Sequence, residues 1–229
     1  MQKSKKKMEI QLIRDMRTGE AQGLHDSLRT PNDRGKEQMK RLQGALEKEG
    51  TEFDILFYSP AIRTYCLALA LSSARTTLVE IPQLYDPNPK SADPIEATDA
   101  TILLEAKKHN RYDWEKWGID KSARAALNRR AEAAAEKFIV EVKTVLLRRE
   151  DDPVLNKLLL RVGVVGHFPY LNVIGMCLAG PSDQRVVLYK IPLAECERFV
   201  MSGTCHEINT ITHVPLGGVL LQGDPEGVN

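Results

Sequence analysis

Short strand-like runs alternate with stretches of helical period along most of this chain, and that alternation marks a mainly parallel sheet wrapped by helices. Met8 to Arg14 is the first strand. After a loop containing Pro31, Met39, Leu42 and Leu46 recur at helical spacing within a segment running from Arg34 to Lys48, which stops near Gly50. Phe53 to Tyr58 is a second strand, closed by Ser59 as a helix cap and Pro60 at the first helical position, with the helix running to about Ser73. Thr76 to Ile81 is a third, β-branched strand. Pro82, Pro87, Pro89 and Pro94 then break the chain into an irregular region.

A long amphipathic helix follows. Leu127, Ala131, Ala134, Phe138, Val142 and Val145 recur at steps of three and four, with Asp120 as the N-cap and Arg148 and Arg149 at the end favoured by the helix dipole. Leu160 to Gly166 is a strand of buried type, Pro169 to Leu178 a helix closed by Gly180 and Pro181, and Arg185 to Ile191 another strand. Glu207 to Val214 alternates like an edge strand. The expected fold is a three-layer αβα sandwich around a mainly parallel sheet. The 229 residues suit one core, so residues 1–7 are expected to be a basic tail and residues 8–229 a single domain.

Charge and composition exclude several classes of function. With 32 Lys and Arg against 31 Asp and Glu, the net charge of +1 gives no field that would draw nucleic acid or a membrane surface. No apolar run approaches the roughly 20 residues needed to span a bilayer, and the opening residues lack a secretory apolar core. Cys66, Cys177, Cys196 and Cys205 are scattered, without metal-ligand spacing, which fits a reducing interior. The expected location is intracellular, cytoplasmic first, with a mitochondrial address left open. His206 and His213 near Cys205 are too few and too spaced for a metal site, and no cofactor is expected. Tyr112, Trp114 and Trp117 cluster as a lid, a partner patch or, as the base rate favours, a pin for a long connection.

Ligands of open parallel sheets bind at the carboxyl ends of the strands, so polar residues just past each strand carry the most weight. Arg14 and Asp15 close the first strand, Arg63 lies one turn into the helix after the second, and His167 follows Val164, Val165 and Gly166. Each alone is an ordinary boundary residue. Two guanidinium groups and an imidazole at one sheet edge would together form a compact anion site, aided by the positive end of a helix starting at Pro60.

These segments resemble the histidine phosphatase superfamily, of phosphoglycerate-mutase-like fold. Leu12-Ile13-Arg14-Asp15 is similar to the Arg-His-Gly signature ending its first strand, and Gly35-Lys36-Glu37-Gln38 to its following Gly-x-x-Gln helix start. Phe53-Asp54-Ile55 through Tyr58-Ser59-Pro60-Ala61-Ile62-Arg63-Thr64 resembles the family's Phe-Asp and Ser-Ser-Pro-x-x-Arg-Ala segment, and Val164-Val165-Gly166-His167 its Val-Val-Ser-His segment. The likeness runs from residue 8 to about residue 180.

What the resemblance implies is phosphoryl chemistry through a phosphohistidine, with two arginines and a second histidine around the phosphate and an acid protonating the leaving group. Arg14 and Arg63 match the arginines and His167 the second histidine. The nucleophile's place holds Asp15, and the residue after it is Met16. The acid stays open among Glu80, Asp86 and Asp93.

A neutral imidazole meets no charge penalty at phosphorus, whereas a carboxylate about 4 Å from a phosphate oxygen is repelled by about 4 kcal/mol at an effective dielectric of 20. Arg14, Arg63 and a protonated His167 would instead bind the Asp15 carboxylate as an internal anion. The expected function is a catalytically degenerate phosphatase with a binding or structural role, its partner a protein assembly of unknown identity. The alternatives are an active phosphohydrolase or phosphomutase with an altered nucleophile, and a binder of a phosphorylated small molecule or protein.

Overall fold

The computed structural model describes residues 7–19, 25–110, 121–150, 159–180, 188, 193–204 and 207–218. Among these residues six strands form one sheet: β1 (Lys7–Arg14), β2 (Ile55–Tyr58), β3 (Thr77–Glu80), β4 (Leu160–Gly166), β5 (Arg198–Thr204) and β6 (Glu207–Val214), in the spatial order β3-β2-β4-β1-β5-β6. The first four are parallel, and β5 and β6 add an antiparallel flank. Among the described residues β6 lies at the edge, as expected, but its buried residues Ile208, Ile211 and Val214 recur at steps of three rather than in strict alternation.

Both sheet faces are covered. On one side α1 (Asp33–Lys48) and α2 (Ile62–Leu71) set Leu42, Leu46, Leu67 and Ala68 against Ile13, Leu56 and Val165. On the other, α3 (Pro94–Asn110), α4 (Lys121–Glu150) and α5 (Tyr170–Ala179) contribute Leu103, Phe138, Val142, Leu171 and Ile174 to a core with Leu12, Phe57, Val162 and Val164. Successive residues of β4 therefore point into opposite cores, which is why its run lacks polar alternation. This is the three-layer αβα architecture expected from the sequence.

Three expectations are corrected. The helix after β2 starts at Ile62 with Ala61 as cap, so Ser59 is not the cap and Pro60 is not its first residue. Ser59 instead continues the sheet pairing, its amide donating to the Val165 carbonyl, and its hydroxyl is engaged by Thr64 and His167. The irregular region ends at Pro94, which opens the 17-residue helix α3 rather than breaking it, and the Asp93 carboxylate accepts from the Ile95 amide as a cap. β5 went unread because it begins at Arg198, a charged residue that is 1% exposed. Its guanidinium donates to Gln11 and Glu49 inside the fold. The expected strand Arg185 to Ile191, the aromatic cluster Tyr112, Trp114 and Trp117, the Asp120 cap and Cys205 with His206 lie outside the described residues, apart from a buried Leu188.

The start of α1 fixes the chain just after β1. Asn32 caps it, accepting from the Gly35 amide at 2.9 Å, and the Gln38 carboxamide oxygen accepts from the Arg17 amide at 3.0 Å. Gly35 permits this approach, because a Cβ there would stand 2.1 Å from the Arg17 carbonyl oxygen. Backbone, unlike a side-chain tip, cannot swing aside. Gly35→Ala is expected to destabilise the fold by about 1–3 kcal/mol, the usual cost of overpacking, read as a lower urea midpoint at unchanged slope. An unshifted midpoint would show that residues 15–17 are not pinned by α1.

Candidate functional site

The carboxyl ends of β1, β2 and β4 meet at one sheet edge, and the residues that follow them converge there. Asp15 leaves β1 with its amide bonded to the Gly166 carbonyl at 3.0 Å, which places it beside His167 at the end of β4. Arg63, in the first turn of α2, reaches back from beyond β2, and its Nε donates to Asp15 Oδ2 at 2.6 Å. His167 Nδ1 lies 3.2 Å from the same oxygen. The Asp15 and Arg63 side chains are 12% and 8% exposed, so the pair is sequestered from bulk water.

A second carboxylate, absent from the sequence reading, shares the same cation. Asp26, on the 3-10 turn Asp26–Leu28, accepts from Arg63 Nη2 through Oδ2 at 2.8 Å and from Arg63 Nη1 through its main-chain oxygen at 2.7 Å. Tyr85 donates its hydroxyl to Oδ2 at 2.7 Å and Arg29 Nη1 donates to Oδ1 at 2.9 Å. The donors of Arg63 are thereby spread over Asp15 and Asp26. Tyr85 also packs edge-on to the His167 ring, 5.0 Å between centroids.

The carboxylates respond to these neighbours. Burial pushes Asp15 toward protonation, but His167 and Arg63 outweigh it and hold the carboxyl below its ordinary range. Burial likewise opposes ionisation of Asp26, and the Tyr85 hydroxyl, Arg63 and Arg29 more than offset it. Tyr85 moves the other way, its phenol raised by burial and by the adjacent Asp26. Burial, with Asp15 and Glu195 nearby, pushes the Cys196 thiol up to about 12, which leaves it protonated and unreactive near neutral pH.

Asp15, Asp26, Arg29, Arg63, Tyr85 and His167 line a cavity of about 800 Å³. Arg14 lines it too, yet its guanidinium donates to the Leu193 carbonyl, and among the described residues it makes no ion pair with Asp15. That corrects the expectation of two arginines around the carboxylate. Of the acids, Asp86 lines the cavity and accepts from the Tyr170 hydroxyl at 2.8 Å. Glu80 is exposed at the end of β3 and Asp93 caps α3, and neither lines the cavity. Among the described residues no group of His, Cys, Asp or Glu could hold a metal ion, and no helix is long and apolar enough to cross a membrane.

Ser59, His167 and Asp15 stand in line, with Ser59 Oγ 2.8 Å from His167 Nε2, and His167 Nδ1 3.2 Å from Asp15 Oδ2 and 3.3 Å from Arg63 Nη2. The order is that of a hydrolase triad. Ser59, however, is 0% exposed and does not line the cavity, so its hydroxyl has no path to a substrate and serves to orient the ring. Ser59, Tyr85, Arg29 and Asp26 escaped the sequence reading. Only Ser59 carried a signal, its place directly after a strand, and that was read as a cap.

Protein-family models and curated proteins give no match to this chain. Solved structures do. The α-ribazole phosphatase from Shigella flexneri aligns over 94% of this chain and 100% of its own, at 16% identity and a TM-score of 0.59. A mycobacterial glucosyl-3-phosphoglycerate phosphatase aligns over 93% and 100%, at 12% identity and a TM-score of 0.58. A phosphoglycerate mutase from Bacillus anthracis aligns over 93% and 94%, at 14% identity and 0.52. The chain therefore has a phosphoglycerate-mutase-like α/β fold. At such identities the likeness concerns architecture, and chemistry must be argued from the side chains.

The depressed carboxylates link the site to acid stability. A carboxyl whose folded pKa lies below its unfolded value, about 3.9 for Asp, adds stability that is complete above that pH and is lost as pH falls through the folded value. The parent is expected to lose urea resistance below about pH 4, and Asp15→Asn to lose less over the same range. Parallel pH profiles for the two proteins would remove Asp15 from the set of stabilising ions.

Proposed function

We propose that this chain is a catalytically degenerate member of the histidine phosphatase superfamily, a pseudophosphatase with a binding or structural role within a larger protein assembly. The observation that carries the reading is the Asp15 carboxylate, 2.6 Å from Arg63 and 3.2 Å from His167, at the end of β1 where the resemblance puts a nucleophilic histidine.

Phosphoryl transfer in this setting needs a neutral attacking atom and an unoccupied cation to receive the phosphoryl oxygens. Neither need is met. Asp15 Oδ2 already accepts from Arg63 and faces His167, and Asp26 takes the remaining guanidinium edge. An incoming phosphate would meet two carboxylates, each repelling it by about 4 kcal/mol at about 4 Å in a medium of effective dielectric 20. An aspartyl nucleophile elsewhere depends on a metal ion or lysine to offset its charge, and among the described residues no lysine lines this cavity. The cavity persists because its cations have internal partners.

The protein is expected to show no turnover of p-nitrophenyl phosphate above the buffer rate from pH 5 to 9, and Asp15→Ala to bind inorganic phosphate more tightly than the parent in calorimetric titration. Robust hydrolysis by the parent would dispose of the reading.

A further inference from the structure

Helix α4 lays an apolar stripe on the sheet, with Leu127, Ala131, Ala134 and Phe138 all in the core. Arg130 falls on that stripe, three residues after Leu127, and is 8% exposed. A cation so placed is costly unless the fold needs its charge or its donors. Charge pairing is not the reason, because the carboxylate that faces it, Glu96, stands 3.8 Å away and is itself 38% exposed. Burial lowers the hold of the guanidinium on its proton, and Tyr170, Glu96 and Asp86 offset this only in part.

The donors account for the arginine. Nη2 donates to two main-chain oxygens, Pro82 at 3.0 Å and Tyr85 at 2.6 Å. These carbonyls stand at the two ends of the 3-10 turn Pro82–Leu84, so one nitrogen bridges the turn. The guanidinium carbon also lies 5.7 Å from the centre of the Tyr170 ring, and the Tyr170 hydroxyl donates to Asp86 Oδ1 at 2.8 Å. Nε, by contrast, is buried without a hydrogen-bond partner. The side chain forgoes one donor to keep Nη2 on the turn and the cation on the ring.

We infer that Arg130 is a positioning residue of the candidate site: it fixes the turn that delivers Tyr85 and the ring that holds Asp86, and so sets the cavity wall that faces His167 and Asp26. Tyr85 and Asp86 line the cavity, whereas Arg130 does not. Leu84 anchors the turn in the core by its apolar side chain, but a single 3-10 turn holds its own carbonyls poorly, and Arg130 decides where they point. Tyr85 then reaches Asp26 with its hydroxyl at 2.7 Å and stands edge-on to His167. This role goes beyond the proposed loss of turnover and does not depend on it.

The His167 ring protons report on the wall, since the Tyr85 ring lies 5.0 Å from the imidazole between centroids and its ring current displaces their NMR signals. Arg130→Met keeps most of the buried volume and removes the donors. It should move these signals in the same direction as Tyr85→Ala, by roughly half as far or more, and should move them no further when added to Tyr85→Ala, as expected of two residues acting through one contact. Val142→Ala, a core truncation on the same helix, should lower the urea midpoint and leave the signals at their parent positions. Parent-like signals in Arg130→Met, displacements that add in the double variant, or an equal displacement by Val142→Ala would each overturn the inference. Should Arg130→Met not fold, Arg130→Lys is read instead: its ammonium has no flat face for Tyr170, so the signals should move part of the way, and parent-like signals there sink the inference as well.

Discussion

One guanidinium ties the upper edge of this fold together. Arg63 is reached through α2, yet its donors end on the residue after β1 and on a turn between β1 and α1, with Tyr85 from beyond β3 completing the cluster. Removing one member of a buried charged set costs far more than the net worth of the set, since the remaining ion is left without its partner in a poor solvent. Burial alone would disfavour the Arg63 charge, and Asp15 and Asp26 reverse that effect. The guanidinium thus bridges three loops, and together with His167 and Tyr85 it keeps both carboxylates ionised.

The parts of this structure legible in the sequence are those whose physics is local and periodic. β4 was read at its observed bounds because both its faces are buried and Gly166 ends it. β1 and α1 were found to within a residue, because the strand stops at polar residues and the helix carries its apolar positions at regular spacing. Arg14, Asp15, Arg63 and His167 were found together because strand ends of a parallel sheet collect at one edge. β5 was invisible because its first residue is a buried arginine, whose partners Gln11 and Glu49 lie far away in sequence. Asp26 and Tyr85 had no signal at all, being single residues in a turn and a loop that matter only through their contact with Arg63.

The same contrast explains why Ser59 was misread. A serine before a proline after a strand has the composition of a helix cap, and local chemistry favours that role. Here the next strand over decides otherwise: β4 delivers His167 to the Ser59 hydroxyl, and Thr64 turns its own hydroxyl onto the Ser59 carbonyl at 2.7 Å. The helix starts two residues later than Pro60, and the freed serine becomes the outer support of an imidazole whose inner nitrogen faces Asp15. A tertiary contact has overridden a local preference at the very edge where the chemistry gathers.

A cavity lined with arginines is usually taken as a sign of an anionic ligand, but electrostatics makes that inference conditional. Cations crowded at a sheet edge repel one another and lose hydration, so the fold must supply counter-charge whether or not a ligand is bound. Where a ligand supplies it, the empty pocket carries unbalanced charge and is stabilised on binding. Where the chain supplies it, as Asp15 and Asp26 do for Arg63, the empty pocket is the stable state and a ligand has to displace something. A basic pocket can therefore persist in a chain without a turnover to preserve it, because its arginines remain structural parts of the edge they organise. On the proposed reading, the carboxylate that would remove the chemistry is also the one that pairs with Arg63 at the sheet edge and so helps to hold the cavity's wall in place.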